Sequence, residues 1–151
     1  MFGRLKDQRA NPVACLVAGA GAFVAGPLDL ALLRFGWADL DSGQVSNVYD
    51  TGLQLGFVLP VYRMWSWNHV YSSCDAPMLR AGMGVVLATQ GDFATRFAEG
   101  AQPGARVYAN PLDGTAAATP DAGYIETQFT CMGCAACGEW AYISSWPNFN
   151  H

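Results

Sequence analysis

Three cysteines near the C-terminal end, Cys131, Cys134 and Cys137, form a CxxCxxC run followed by Gly138. A tight turn can point cysteines two residues apart at one ion, and three thiolates approach the ligand set of a structural zinc site or an iron–sulfur loop. A fourth ligand would have to come from Cys15, Cys74, His69 or His151, none at a diagnostic spacing, and there is no second CxxC. The same thiols could instead close a disulfide, with one another or with Cys74, or remain reduced. Five cysteines leave at least one without a partner inside the chain. Structural zinc, a disulfide and free thiols all stay open for Cys131, Cys134 and Cys137, and no other cofactor is expected.

The remaining reactive residues assemble into nothing. Ser72, Ser73 and Ser144 have no histidine and acid that the sequence places beside them. Base catalysis would rest on His69, inside an aromatic stretch, or on His151, the last residue printed. Asp39 and Asp41 could be written as a metal or acid/base pair. They stand, however, in Asp39-Leu40-Asp41-Ser42-Gly43, a cluster whose side chains bond their own backbone in a turn. Gly19-Ala20-Gly21 suggests a dinucleotide loop, but the next glycine comes at 26 and Pro27 stands where a helix should already run. The expectation is that the chain is not an enzyme.

Residues 62–71 hold the densest aromatic patch, with Tyr62, Trp65, Trp67 and Tyr71. Such rings can stack on sugars or bases, but Arg63 is the only basic residue among them, and burial in a core or an interface accounts for them as well.

The elements that would carry these residues read as short strands bounded by glycine and proline. Gln102-Pro103-Gly104 has Pro and Gly at the second and third positions of a tight turn. Arg106-Val107-Tyr108-Ala109 should follow as a strand, and Asn110-Pro111-Leu112-Asp113-Gly114 closes it with an Asp-Gly corner. Phe23-Val24-Ala25 reads as a short strand closing in a turn, and Leu30, Leu32 and Leu33 lead into a strand with Phe35 and Trp37 on one face. Gly36 between them marks a bulge or the close approach of another backbone. Leu53, Leu55 and Phe57 alternate ahead of Pro60. Val85-Val86-Leu87-Ala88 is a further strand, and Phe93, Thr95 and Phe97 form another. Residues 124–130 and 139–146 read as the arms of a final hairpin around the cysteine run.

Composition bounds the function. Charged residues make up 13% of the 151, about half the usual share, while 52% are hydrophobic. A surface so poor in charge suits a protein that lives against neighbours. The net charge of −4 and eight scattered Lys and Arg argue against nucleic acid. Residues 13–25 run apolar after Arg4, Lys6 and Arg9, as a secretory signal would, but Gly19 and Gly21 interrupt the run and Cys15 stands at its front. With no 18-residue apolar segment, no membrane span is expected. Residues 1–12 read as an extended arm and 13–151 as a single β-rich domain.

The order of these blocks resembles the small structural cement, or capsid decoration, proteins of tailed bacteriophages. The resemblance rests on Gly91-Asp92-Phe93, Gly104-Ala105-Arg106-Val107-Tyr108-Ala109-Asn110, Gly114-Thr115-Ala116, Gly123-Tyr124-Ile125-Glu126-Thr127-Gln128-Phe129 and Ile143-Ser144-Ser145-Trp146. Earlier blocks are Ala25-Gly26-Pro27, Arg34-Phe35-Gly36-Trp37-Ala38-Asp39 and a turn at Gly43-Gln44-Val45-Ser46-Asn47. It implies an all-β fold, a small sandwich or distorted barrel of roughly eight to ten short strands, with an extended N-terminal arm. It further implies a virion protein on the outer surface of the capsid, a homotrimer or homodimer bridging major capsid proteins. Arg4, Lys6, Arg9, Tyr62, Trp65 and Trp67 are the candidate capsid or subunit contacts. The alternatives from other classes are a metal-binding or redox module on the cysteine run and a carbohydrate-binding β-domain using the aromatic patch.

Overall fold

Alternating burial along the strands builds two closed sheets over one core. The computed structural model describes residues 16–17, 23–60 and 78–145, and among them there are thirteen strands and no helix. Six strands have only two or three residues: β1 (Leu16–Val17), β2 (Phe23–Ala25), β3 (Leu30–Ala31), β5 (Gln44–Ser46), β7 (Met78–Leu79) and β11 (Ala116–Ala117). These short pieces raise the number above the eight to ten expected. The longer strands are β4 (Phe35–Asp39), β6 (Gln54–Pro60), β8 (Gly84–Gln90), β9 (Asp92–Phe97), β10 (Arg106–Ala109), β12 (Ile125–Cys131) and β13 (Glu139–Ser144). The all-β, distorted-barrel expectation is met. The arm and its boundary at residue 12 lie outside the described residues.

The first sheet closes in the order β8-β2-β5-β4-β6 and back to β8, with β1 also pairing along β8. β2 and β5 run parallel, and the other pairings are antiparallel. The second closes as β10-β11-β9-β13-β12, and a separate β3–β7 pair joins Leu30 to Leu79 and Ala31 to Met78. The chain passes from one closed sheet to the other at Gly91, whose backbone is fastened to Ser145.

Within the first sheet, glycine makes room. Gly36 and Gly56 sit opposite each other on β4 and β6. A Cβ on Gly36 would stand 2.6 Å from Val58 Cγ2, and one on Gly56 would stand 2.4 Å from Leu87 Cγ. What comes closest to Gly36 is the Val58 and Val45 side chains, with the Ser46 carbonyl behind them, so the close approach expected of another backbone is made chiefly by side chains. On the other face of the same strands, Phe35 and Phe57 meet Phe93 from β9 and Phe129 from β12. The Phe57 and Phe93 rings stack with centroids 4.9 Å apart, and Phe35 lies 5.5 Å from Phe57 and 5.6 Å from Phe129. All four rings are fully buried. The buried apolar residues of both sheets form one cluster around them.

Three local readings are corrected. The run into β4 is not continuous: it bends at 32–34, with Leu33 at φ 59°. Leu30, Leu32, Leu33 and Phe35 are all buried across that break. The strain of a left-handed leucine is offset by bonds from Leu33 N to Val58 O at 2.9 Å and from Thr95 Oγ1 to Leu33 O at 2.8 Å. The segment read as a turn at 43–47 contains β5, and Asn47 ends it by gripping Ala31 and Phe35 through its side chain. Finally, β12 and β13 do pair antiparallel as the expected hairpin, but only over Thr130–Ser144 and Cys131–Ile143, at the C-terminal end of each, while β13 pairs along its whole length with β9.

Candidate functional site

Four places could do work: the turn at 39–43, the cysteine loop, a cleft at the seam of the sheets, and the exposed apolar side chains. In the turn, Asp39 Oδ1 accepts a hydrogen bond from Asp41 N at 3.0 Å, and Gly43 N donates to Asp39 O at 2.7 Å. The Asp41 N–H, and after it the Ser42 hydroxyl, hold the Asp39 carboxyl below its ordinary value. The side chain is bonded to its own turn, as its Asp/Ser/Gly setting predicts.

The cysteine loop caps the end of the second sheet. Ala135 and Ala101 exchange backbone bonds of 2.9 and 3.0 Å, and Gly138 N donates to Phe97 O at 2.8 Å. Cys131 is buried, with Sγ donating to Gly133 O at 3.1 Å, and burial pushes its thiol up. Cys134 and Cys137 are exposed. Among the described residues, no three His, Cys, Asp or Glu side chains gather closely enough to hold one metal ion. Cys15, Cys74, His69 and His151 lie outside the described residues.

A cleft of about 200 Å³ opens where the β3–β4 bend meets β9 and β13, lined by Leu33, Arg34, Thr95, Arg96, Thr115 and Trp140. Arg96 Nε donates to Gly138 O at 3.0 Å, and Arg34 Nη1 lies 3.5 Å from Asp113 O. Its walls are mixed: Leu33, Ala98 and Trp140 are apolar, and Arg34, Arg96, Thr95 and Thr115 add polar and cationic groups.

The exposed large apolar residues are Leu28, Leu40, Val48, Tyr49, Met78, Met83 and Leu112 among those described. Backbone bonds and sequence neighbours link the segments that carry six of them, across the first sheet, the β3–β7 pair and the 110–114 corner. Pro111 O accepts from Tyr49 N beside Val48 and Leu112, and Asn47, next in sequence, bonds Ala31. Ala31 pairs with Met78. Asp29, next to Leu28, accepts from Ala81 N, and Met83 O accepts from Ala25 N. Leu40 stands apart, on the turn at the other end of β4. None of these residues was singled out as a site from the sequence. The available signal was a leucine between Pro111 and Asp113-Gly114, where a turn has no use for one. The contacts that were singled out, Arg4, Lys6, Arg9, Tyr62, Trp65 and Trp67, lie outside the described residues.

Among the described residues, seven large apolar side chains thus stand exposed on a chain poor in charge. The sequence model of the XM1 gp53 minor capsid proteins matches residues 8–145, nearly the whole chain. The chain belongs to the XM1 gp53 minor capsid protein family. Membership bears out the resemblance to phage capsid-associated proteins and makes the protein a structural component of the virion, associated with capsid proteins. No match is found among curated proteins.

Proposed function

We propose that the protein is a cement or decoration protein: it binds the outer surface of the mature capsid as a homotrimer or homodimer, bridges major capsid proteins, and does no catalysis. The observation that carries this reading is membership of a minor capsid family by a chain with few charges and seven exposed large apolar side chains among its described residues. A ligand that binds only the assembled lattice stabilises it by mass action: at a hundred times its dissociation constant it adds about 2.7 kcal/mol per site. The apolar character suits permanent contact, because obligate interfaces resemble a core cut in half.

The test is co-sedimentation with mature shells stripped of the protein, using the full chain and a form lacking residues 1–12. Saturable binding that raises the temperature at which shells open is expected, with weaker binding by the truncated form if the arm contributes. Binding without any gain in shell stability would remove the cement role.

A further inference from the structure

The cleft at the β3–β4 bend gathers positive charge on a chain whose net charge is −4. Arg34 and Arg96 line it, both half-buried, and no Asp or Glu stands in its wall. Arg96 is set in place by the 3.0 Å bond from its Nε to Gly138 O. Arg34 Nη1 comes no nearer than 3.5 Å to Asp113 O, long for a hydrogen bond. Among the described residues no carboxylate pairs with Arg34; the ion pair described is Arg106 with Glu126 at 3.3 Å. The carboxylate of Asp113 is engaged elsewhere, accepting from Thr115 N at 3.0 Å and from Thr115 Oγ1 at 2.7 Å. A guanidinium presents its N–H donors in a planar fork that matches a carboxylate, and most of the fork of Arg34 is uncommitted within the described structure.

The rest of the wall selects the anion. Leu33, Ala98 and Trp140 are apolar, and Leu33 and Trp140 are themselves buried. Walls of this kind hold water back and focus the field of the charges beside them. A free inorganic anion gains nothing from apolar walls, and the overall negative charge of the chain opposes a nucleic acid. An Asp or Glu side chain offers both halves of the match, a carboxylate for the arginines and a methylene stem for the apolar wall. The cleft of about 200 Å³ is smaller than the roughly 300–1,000 Å³ of sites that hold whole small molecules, and it suits a side chain.

We propose that this cleft is a socket for an acidic side chain of a capsid subunit, with the carboxylate held by Arg34 and Arg96 and the stem against Leu33, Ala98 and Trp140. The inference rests on the capsid-binding reading above and names one contact and its chemistry. Family membership associates the chain with capsid proteins, whereas two copies of net charge −4 repel one another. A capsid subunit is therefore the better source of the carboxylate and a second copy the poorer one.

The experiment changes the charge at the rim without removing a bonded group. Ala98 is exposed and stands just past the end of β9. Ala98→Glu gives the cleft a carboxylate of its own, and Ala98→Lys puts a long side chain of opposite charge at the same place. Both are compared with full-length wild type and Arg34→Gln in saturation binding to stripped mature shells at low and at physiological salt. Melting of each free protein is measured alongside, together with sedimentation velocity without shells. A charge-assisted bond is worth about 10- to 100-fold in affinity, so Ala98→Glu and Arg34→Gln should bind at least about tenfold more weakly. Ala98→Lys should bind at least as tightly as wild type, and added salt should weaken wild-type binding. If Arg34→Gln lowers the melting point, the two Ala98 variants decide alone. Equal weakening by Ala98→Glu and Ala98→Lys would make the effect one of size and overturn the socket. If wild type binds and Ala98→Glu binds as tightly, the cleft is not a contact and the capsid-binding reading stands. Failure of wild type itself to bind overturns both. If Ala98→Glu instead turns a free oligomer into monomers, the carboxylate comes from a second copy, and the proposed partner is wrong.

Discussion

Replacing Gly114 by alanine should be among the most damaging single-methyl additions to this protein. Gly114 has φ 77°, and a Cβ built there would stand 2.1 Å from the carbonyl oxygen of Phe35. The obstacle is backbone, so it cannot rotate aside, and the two segments must part by about an ångström. Parting stretches the 2.8 Å bond from Phe35 N to Gly114 O and disturbs the 3.0 Å bond from Asn47 Nδ2 to Phe35 O, both around a fully buried phenylalanine. The left-handed backbone costs about 1–2 kcal/mol for a residue with a Cβ, and an impaired buried hydrogen bond about 1–3 kcal/mol. Together they give about 2–5 kcal/mol, or roughly 4–20 °C in melting temperature for a chain of this size. Gly104→Ala supplies the control. Gly104 has φ 87° with nothing within 4 Å of a built Cβ, so only the backbone cost of about 1–2 kcal/mol applies. Urea and thermal unfolding of the two variants measure the difference. Equal losses would show that the 110–114 corner does not rest on β4 and would refute the packing described.

Thr95→Val should cost about 1–3 kcal/mol in unfolding free energy, because it leaves the left-handed Leu33 with a buried carbonyl that has lost its 2.8 Å hydroxyl donor; Thr95→Ser should recover most of the loss. Asp39 is held ionised by its turn, so the folded protein binds its proton less readily than the unfolded chain. Its contribution is fully present above the ordinary carboxylate range near pH 4 and is lost as pH falls through the depressed folded value. Asp39→Asn should therefore shrink the fall in melting temperature on acidification below about pH 4, and an unchanged acid limb would count against the turn. In a Cys15→Ser/Cys74→Ser background under reducing conditions, two thiols, Cys134 and Cys137, should react rapidly with a thiol reagent, and the third, Cys131, only on unfolding. Three fast thiols would contradict the burial of Cys131.

What could be read from the sequence was what is written locally. Pro103-Gly104 makes the turn it encodes, with Ala105 N donating to Gln102 O at 3.2 Å, and the strand after it is β10 with the expected bounds. The Phe93-Thr95-Phe97 alternation becomes a buried face of β9. What was not legible depends on distant partners. Nothing near Leu33 announces a left-handed residue, because the groups that offset its strain, Val58 and Thr95, lie on β6 and β9. Asn47 looks like any turn asparagine until Ala31 and Phe35 are brought beside it. The closure of two sheets comes from pairings such as β6 with β8 and β9 with β13, between strands far apart in the chain. The cleft was harder still: Arg34 lies on the bend before β4, Arg96 on β9 and Trp140 on β13, and only the fold gathers them in one wall.

The claim at the centre of this account is that the protein binds the outside of the mature shell and bridges capsid subunits. Electron cryomicroscopy of stripped shells with the protein added back tests it most directly. The account predicts ordered density on the outer surface, each copy or oligomer touching at least two major capsid proteins, with the cleft at Arg34 and Arg96 closed at a contact. Density confined to the shell interior or to a single vertex, or copies that each touch one subunit only, would contradict it.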